Sequence, residues 1–244
     1  LTCGTGFASA EQITFVSQGG AYQEAQTKAI IDPVAETLGI TINQDSSPDA
    51  WPVIKTQTET GKPVWDVIDT PAKDCIRGGE QGMIEKLDFS QLPNVKDMPA
   101  EYKSPYSVAY EFYSSVLAYN KEKFGDTPPQ NWGDFWDVEK FPGTRALRNH
   151  PLATLEAALI ADGVSVDKLY PLDVDRAFKK LEKIKPFVTV WWTSGAQSAQ
   201  LLADGEVDMT MAWIGRVSAV VKEGLPIGYT FNQGFLQYTS LCIL

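Results

Sequence analysis

Histidine is almost missing from this chain. His150 is the single one among 244 residues, and cysteine is held to three. With no second His or Cys at metal-ligand spacing, the sequence argues against a zinc site. The familiar nucleophile and nucleotide signatures are missing too: there is no G-x-S-x-G elbow, no P-loop and no G-x-G-x-x-G. Gly19-Gly20 is too short for a nucleotide loop, and no cofactor motif stands in its place. His150 lies beside Pro151 and is read as a helix cap or surface residue. Carboxylates are plentiful, but no motif spaces a pair for glycoside hydrolysis. Positive charge is scarce: 21 Lys and Arg stand against 31 Asp and Glu, a net charge of −10. That argues against nucleic acid as a partner, since such a binder needs a basic face. Apolar runs are short as well. The longest uncharged stretch, 224–244, is interrupted by Pro226, Asn232, Gln233, Gln237 and several glycines, so it does not read as a membrane span.

What remains is an ordinary globular composition, 43% hydrophobic and 21% charged. It is enough chain for one large domain or two lobes of about 100–120 residues. Ala8-Ser9-Ala10 followed by Glu11 fits the small-residue cleavage site of a secretory signal peptide, so residues 1–10 are read as a signal remnant. Leu1-Thr2-Cys3-Gly4 is a weaker match to a lipoprotein site. Tyr238 to Leu244 reads as a strand that simply stops, which suggests truncation at the C-terminus. Cys75 and Cys242 are expected to be reduced and buried; a bond between them would require the fold to bring them together.

Along the chain a unit repeats: an apolar strand, a loop with Gly, Pro or a small polar residue, then an amphipathic helix. Strands are expected at Ile13–Ser17, Ile40–Ile42, Val64–Ile68, Val108–Tyr119, Thr144–Leu147, Pro186–Trp192 and Glu206–Trp213. Helices are expected at Ala21–Ile31, with a second piece from Pro33 capped by Asp32, at Trp51–Thr60, and from Pro71. Further helices are expected from Pro151 to Ala161 with Asn149 as the cap, and at Asp173–Ile184, Ala196–Ala203 and Arg216–Lys222. This alternation predicts an α/β fold with a mainly parallel sheet.

Ligands in such folds bind beyond the carboxyl ends of strands, at helix N-termini. The strand-to-helix joints are therefore the candidate site: Gln18 to Tyr22, Asp69 to Ala72, Arg148 to His150, Trp192 to Gln197, and Trp213 to Arg216. They are rich in aromatic and hydrogen-bonding groups, as a small-molecule site is. Arg216 is the sharpest case. Val207, Met209, Met211 and Trp213 share one face of a strand, and Gly215 allows the turn. Arg216 then falls in the first turn of the next helix, where a cation does not help the helix dipole. A guanidinium fork aimed at a carboxylate would use that place well; a surface ion pair with Asp208 or Glu223 is the alternative.

Several segments in order carry a family resemblance: Gly19-Gly20-Ala21-Tyr22, Gly82-Met83-Ile84-Glu85-Lys86-Leu87-Asp88, Asn131-Trp132-Gly133-Asp134-Phe135-Trp136, Pro142-Gly143-Thr144, and Gly205 through Trp213 followed by Ser240-Leu241. Over residues 11–244 the chain resembles the periplasmic solute-binding proteins of ABC importers, in the spermidine/putrescine-binding group. The resemblance implies a two-lobed, type II-like fold that closes on its ligand. Lobe I would span 11–116, lobe II 117–237, and 238–244 would return to lobe I, with further chain completing both lobes. It implies a monomer without catalysis, exported to the periplasm, that delivers an amine, amino acid or organic acid to a membrane permease. Gln18, Tyr22, Thr70, Asn149, Trp192, Thr193, Trp213, Arg216 and Thr239 would form the ligand site.

Polyamine binders of this group carry acids where this chain has Asn149, His150, Ala153 and Thr239, and small or polar groups where it has Arg216. Each change removes a negative partner or adds a positive one. Burying an uncompensated charge costs several kcal/mol, more than cation–π contacts of roughly 0.5–2 kcal/mol each return. The expected ligand therefore carries a carboxylate, as an ω-amino acid does. A true polyamine binder, and a secreted α/β enzyme acting on a small solute, are the alternatives.

Overall fold

The computed structural model describes residues 11–244; residues 1–10, on which the expected signal remnant and Cys3 fall, lie outside them. The chain divides into two units, one made of residues up to 111 together with 238–244, the other of 112–237.

Unit 1 opens with β1 (Gln12–Ser17), then α1 (Gly20–Gln26), a widened helical turn over Thr27–Ile31, and α2 (Asp32–Leu38). The expected break at Asp32 is absent. Pro33 has no N–H to give, and a wide turn just before it accommodates the lost bond. Asp32 thus lies inside the run instead of capping it, and Gly39 ends it at φ 65°, a left-handed cap that glycine adopts without penalty. Next come β2 (Thr41–Ser46), α3 (Trp51–Glu59), β3 (Val67–Pro71) and α4 (Ala72–Glu80). β3 starts later than the apolar run suggests because Gln57 Oε1 accepts the N–H groups of Val64 and Trp65, at 2.8 and 3.2 Å. Those groups are therefore bonded locally. Pro71 closes the strand at φ −55°, ψ 137° instead of opening the helix.

After short turns, β4 (Lys103–Ser104) pairs with the start of β5 (Ser107–Asn120). The chain leaves unit 1 within β5. Unit 2 then holds α5 (Lys121–Phe124), α6 (Trp132–Trp136), β6 (Arg145–Arg148), α7 (Pro151–Ala161) and α8 (Val174–Ile184). It continues with β7 (Val188–Trp192), α9 (Gly195–Ala203), β8 (Met209–Trp213) and α10 (Ile214–Lys222). β9 (Ile227–Ile243) carries the chain back to unit 1. The cap of α7 is His150, not Asn149: its Nδ1 accepts from Leu152 N at 3.1 Å. β8 begins only at Met209 because the Asp208 carboxylate is turned to Thr144, accepting from its N at 2.7 Å and its Oγ1 at 3.1 Å.

In unit 1 β1 runs parallel to β2 and β3, while β9 lies antiparallel to β3, with Val67 opposite Ile243 and Pro71 opposite Thr239. In unit 2 β6 is parallel to β7 and β8, and β5 is antiparallel to β8, with Ser115 opposite Trp213. The sheets are therefore mixed and not mainly parallel. The reason is connectivity: βαβ crossovers make parallel neighbours, whereas β5 and β9, which carry the chain between units, enter no such crossover. Each unit has its own core. Val16, Ile54, Trp65 and Ile68 fill unit 1, and Trp132, Phe135, Leu147, Leu159, Met209 and Met211 belong to that of unit 2. α8 shows how the pattern works, burying Ala177, Leu181 and Ile184 from one face at helical spacing.

Cys75 of α4 and Cys242 of β9 form a disulfide, with Cα atoms 5.9 Å apart and a sequence separation of 167. The expectation of two reduced thiols is corrected here. Burial was anticipated, but the pairing of β9 with β3 is what sets Cys242 beside α4, and sequence separation gives no hint of it. A bond closing so long a loop stabilises by about 2–5 kcal/mol. Dithiothreitol, or Cys242→Ser, should therefore lower Tm by roughly 5–15 °C in a thermal melt, and the reductant should have no effect on the variant. An unchanged Tm on reduction would contradict the bond.

Candidate functional site

The carboxyl ends of the parallel strands of unit 2 bring three side chains together. β6 and β7 place Arg148 opposite Trp192, and β8 ends at Trp213. The Arg148 guanidinium lies 5.0 Å from the Trp213 ring and 5.8 Å from that of Trp192. The two indoles meet edge to face at 5.7 Å, and Tyr113 adds a third ring against Trp213 at 5.8 Å. Trp192 is fully buried and donates through Nε1 to Met211 O at 3.1 Å; it is a wall behind Arg148 and Trp213 and not an exposed surface. Gly195 opens α9 where any Cβ would overlap the Trp213 ring, so this glycine is what lets the indole pack against the helix start.

Helices begin just past these strand ends. Arg216 sits in the first turn of α10 and is only 7% exposed, so it does not stand on the open surface. At the start of α9, Ser194 Oγ accepts from Gln197 N at 3.3 Å, while Gln197 Oε1 accepts from Thr193 N at 3.2 Å. Thr193 and Asn149 are exposed, and Asn149 N donates to Trp192 O at 2.8 Å. The Arg148 guanidinium, two indoles and the starts of α9 and α10, with Arg216 in the first turn of α10, thus share one end of the unit 2 sheet. Such a surface binds planar anions well: helix N-termini offer N–H donors, and guanidinium forks match carboxylates.

The strand ends of unit 1 are organised differently. Asp69, 2% exposed in the middle of β3, accepts on Oδ2 from Ser17 Oγ (3.0 Å), Tyr22 OH (2.9 Å), Gln26 Nε2 (2.9 Å) and Tyr110 OH (3.0 Å). Thr239 Oγ1 bonds to its Oδ1 and also reaches Thr70 O at 3.3 Å. Thr70 and Thr239 are both buried at 2%, so they brace this cluster from beneath. Tyr22, which donates to Asp69, and Gln18, next to Ser17 in sequence, are half-buried.

Of the residues expected from sequence, the structure therefore gathers Trp192, Thr193, Trp213, Asn149 and Arg216 at one end of unit 2, and Tyr22, Thr70 and Thr239 around Asp69 in unit 1. Arg148 and Asp69 lay within the expected joints without a role assigned to them. Gln26, Tyr110 and Tyr113 were not anticipated at all. Gln26 is the polar residue on the buried side of α1, a signal that could have been read. Tyr110 and Tyr113 sit in a run dense with aromatics, where sequence does not separate core rings from site rings.

Burial first, and then the Asp69 charge, hold the Tyr22 and Tyr110 hydroxyls far above the ordinary phenol value of 10.0. Both stay protonated donors while unfolded-chain tyrosines ionise near that value. Above about pH 10 the unfolded state thus releases protons that the folded state keeps, and stability is lost as pH rises. Tm measured from about pH 8 to 11 should fall more steeply for the wild type than for a Tyr22→Phe, Tyr110→Phe double variant. Parallel curves would show that these phenols do not carry the alkaline loss.

Comparisons with known proteins agree with this architecture. The model of the bacterial extracellular solute-binding protein family matches residues 29–244. A solved structure of an ABC transporter substrate-binding protein from Bradyrhizobium japonicum USDA 110 is 74% identical and superposes with a TM-score of 0.90, over 96% of this chain and 73% of that one. The gamma-aminobutyric acid-binding protein of Pseudomonas aeruginosa is 37% identical over 90% of this chain and 63% of its own length. The spermidine/putrescine-binding periplasmic protein 1 of Haemophilus influenzae is 24% identical over 84% of this chain and 58% of its own. The chain thus spans about three-fifths of the length of these curated relatives. The ordered run of motifs, the two α/β units and the match over most of the chain lead to one conclusion: this chain belongs to the bacterial extracellular solute-binding protein family.

Proposed function

We propose that the protein is the capture component of an ABC importer, binding a small carboxylate-bearing amine of the ω-amino acid kind in the periplasm and passing it to a membrane permease. The observation that carries this reading is the pair of arginines at the strand ends of unit 2. Arg216 is buried at the start of α10, and Arg148 lies over Trp213. A polyamine there would meet two fixed positive charges. A carboxylate would meet guanidinium forks and helix N–H groups, and its hydrogen bonds to charged donors are each worth about 1.5–3 kcal/mol. The relative at 37% identity, named for gamma-aminobutyric acid, supports the same class.

In this reading Trp213, Arg216, Asn149 and Thr193 are ligand groups of unit 2, with Trp192 behind them. Gln18 and Tyr22 are ligand groups of unit 1, with Thr70 and Thr239 bracing them. The Cys75–Cys242 bond suits an exported protein, since disulfides persist in oxidising compartments. The role is binding without turnover: His150, the single histidine, already uses Nδ1 to cap α7.

Calorimetry on the full-length protein provides the test. γ-Aminobutyrate should bind and be recovered chemically unchanged, with putrescine at least about a hundredfold weaker. Arg216→Ala should weaken γ-aminobutyrate by about 10- to 100-fold, the equivalent of the hydrogen bonds it removes. Tight putrescine binding that survives Arg216→Ala would overturn the proposal.

A further inference from the structure

We propose that unit 2 contains a second binding cavity, which takes a primary alkylammonium cation on the carboxylate of Glu156. This site is independent of the arginines above and needs no carboxylate on its ligand. The cavity has a volume of about 320 Å³; Leu152, Ile160, Leu169, Phe235 and Leu236 give it hydrocarbon walls, and Glu156 is among its lining residues. Glu156 stands alone as a charged residue in α7, a helix whose residues from Ala153 to Ile160 are all buried. It is 4% exposed. Its Oε1 accepts from Tyr170 OH at 3.0 Å, whereas its Oε2 is buried with no hydrogen-bond partner.

A carboxylate out of water with one oxygen unsatisfied is costly, by several kcal/mol, so the position calls for a donor at Oε2. Burial, and then the Glu156 charge, push the Tyr170 phenol up to about 12. It therefore remains a donor to Oε1 at neutral pH and leaves Oε2 as the open acceptor.

The walls identify the class of donor. A hard metal ion needs six or more oxygens, and the amide oxygens at the cavity are engaged: Gln233 Oε1 accepts from Trp132 N at 3.1 Å and Gln237 Oε1 from Ser115 Oγ at 2.6 Å. Among the described residues, no group of three or more His, Cys, Asp and Glu side chains is placed to hold a metal. An ammonium on a short alkyl chain satisfies both features, one N–H for Oε2 and methylenes for the leucines, isoleucine and phenylalanine.

The probe is n-butylammonium, titrated calorimetrically into the full-length protein. It lacks a carboxylate, so its result and that of the γ-aminobutyrate experiment stand or fall separately. Saturable binding is expected for the wild type and for Arg216→Ala, with affinity at least tenfold lower in Glu156→Gln, which keeps the shape and removes the charge. Leu236→Trp, at a 75% exposed position on the cavity lining, should also weaken binding at least tenfold by crowding the mouth. It carries the test even if Glu156→Gln fails to fold. Absence of saturable binding to the wild type, or unchanged affinity in either cavity variant, would overturn the proposal.

Discussion

The arrangement of unit 1 turns on one buried carboxylate. Asp69 is the middle residue of β3, and its two oxygens collect donors from β1, α1, β5 and β9. A charge at 2% exposure is tolerable only when its lone pairs are used. The donors must therefore come to it, and the elements that carry them are held in turn. The Cys75–Cys242 bond ties β9 to α4 a few residues from Thr239. Covalent and polar ties thus secure the same strand end, where the apolar core of unit 1 would not alone specify which residues meet.

Unit 2 solves the same problem with rings. Gly195 makes room for Trp213, Trp192 backs it, and Arg148 lies across both. Here the constraint is steric. A side chain at 195 would push the indole away and with it the surface on which the guanidinium rests. The strand ends of the two units therefore differ in chemistry: phenols and amides around a negative charge in one, indoles and guanidiniums in the other.

Much of the fold was legible in the alternation of short apolar runs with amphipathic ones. β1, α3, α8 and α9 fall close to where strand alternation, apolar spacing and capping serines or aspartates put them. The readings that slipped did so for local polar reasons. Gln57 captures the N–H groups that would have begun β3, His150 takes the cap expected of Asn149, and a wide turn carries the helix past Pro33. Each is a competition between a side chain and the backbone ladder, settled by small geometric differences that residue type alone does not express.

Sequence by itself was enough to determine the class of protein, because βαβ alternation and an ordered set of motifs depend on local pattern and spacing. It also determined that Arg216 would follow Trp213 at a strand-to-helix joint, since Gly215 and the strand period leave it little other place. Tertiary structure alone decided that Cys75 meets Cys242 and that Asp69 gathers Tyr22, Tyr110 and Thr239. It alone placed Arg148 over Trp213 and left Glu156 facing hydrocarbon with one oxygen unused. These contacts join residues dozens to well over a hundred positions apart, or depend on which way a buried side chain turns. Both are settled by how sheets pair and cores pack, and no local pattern records them.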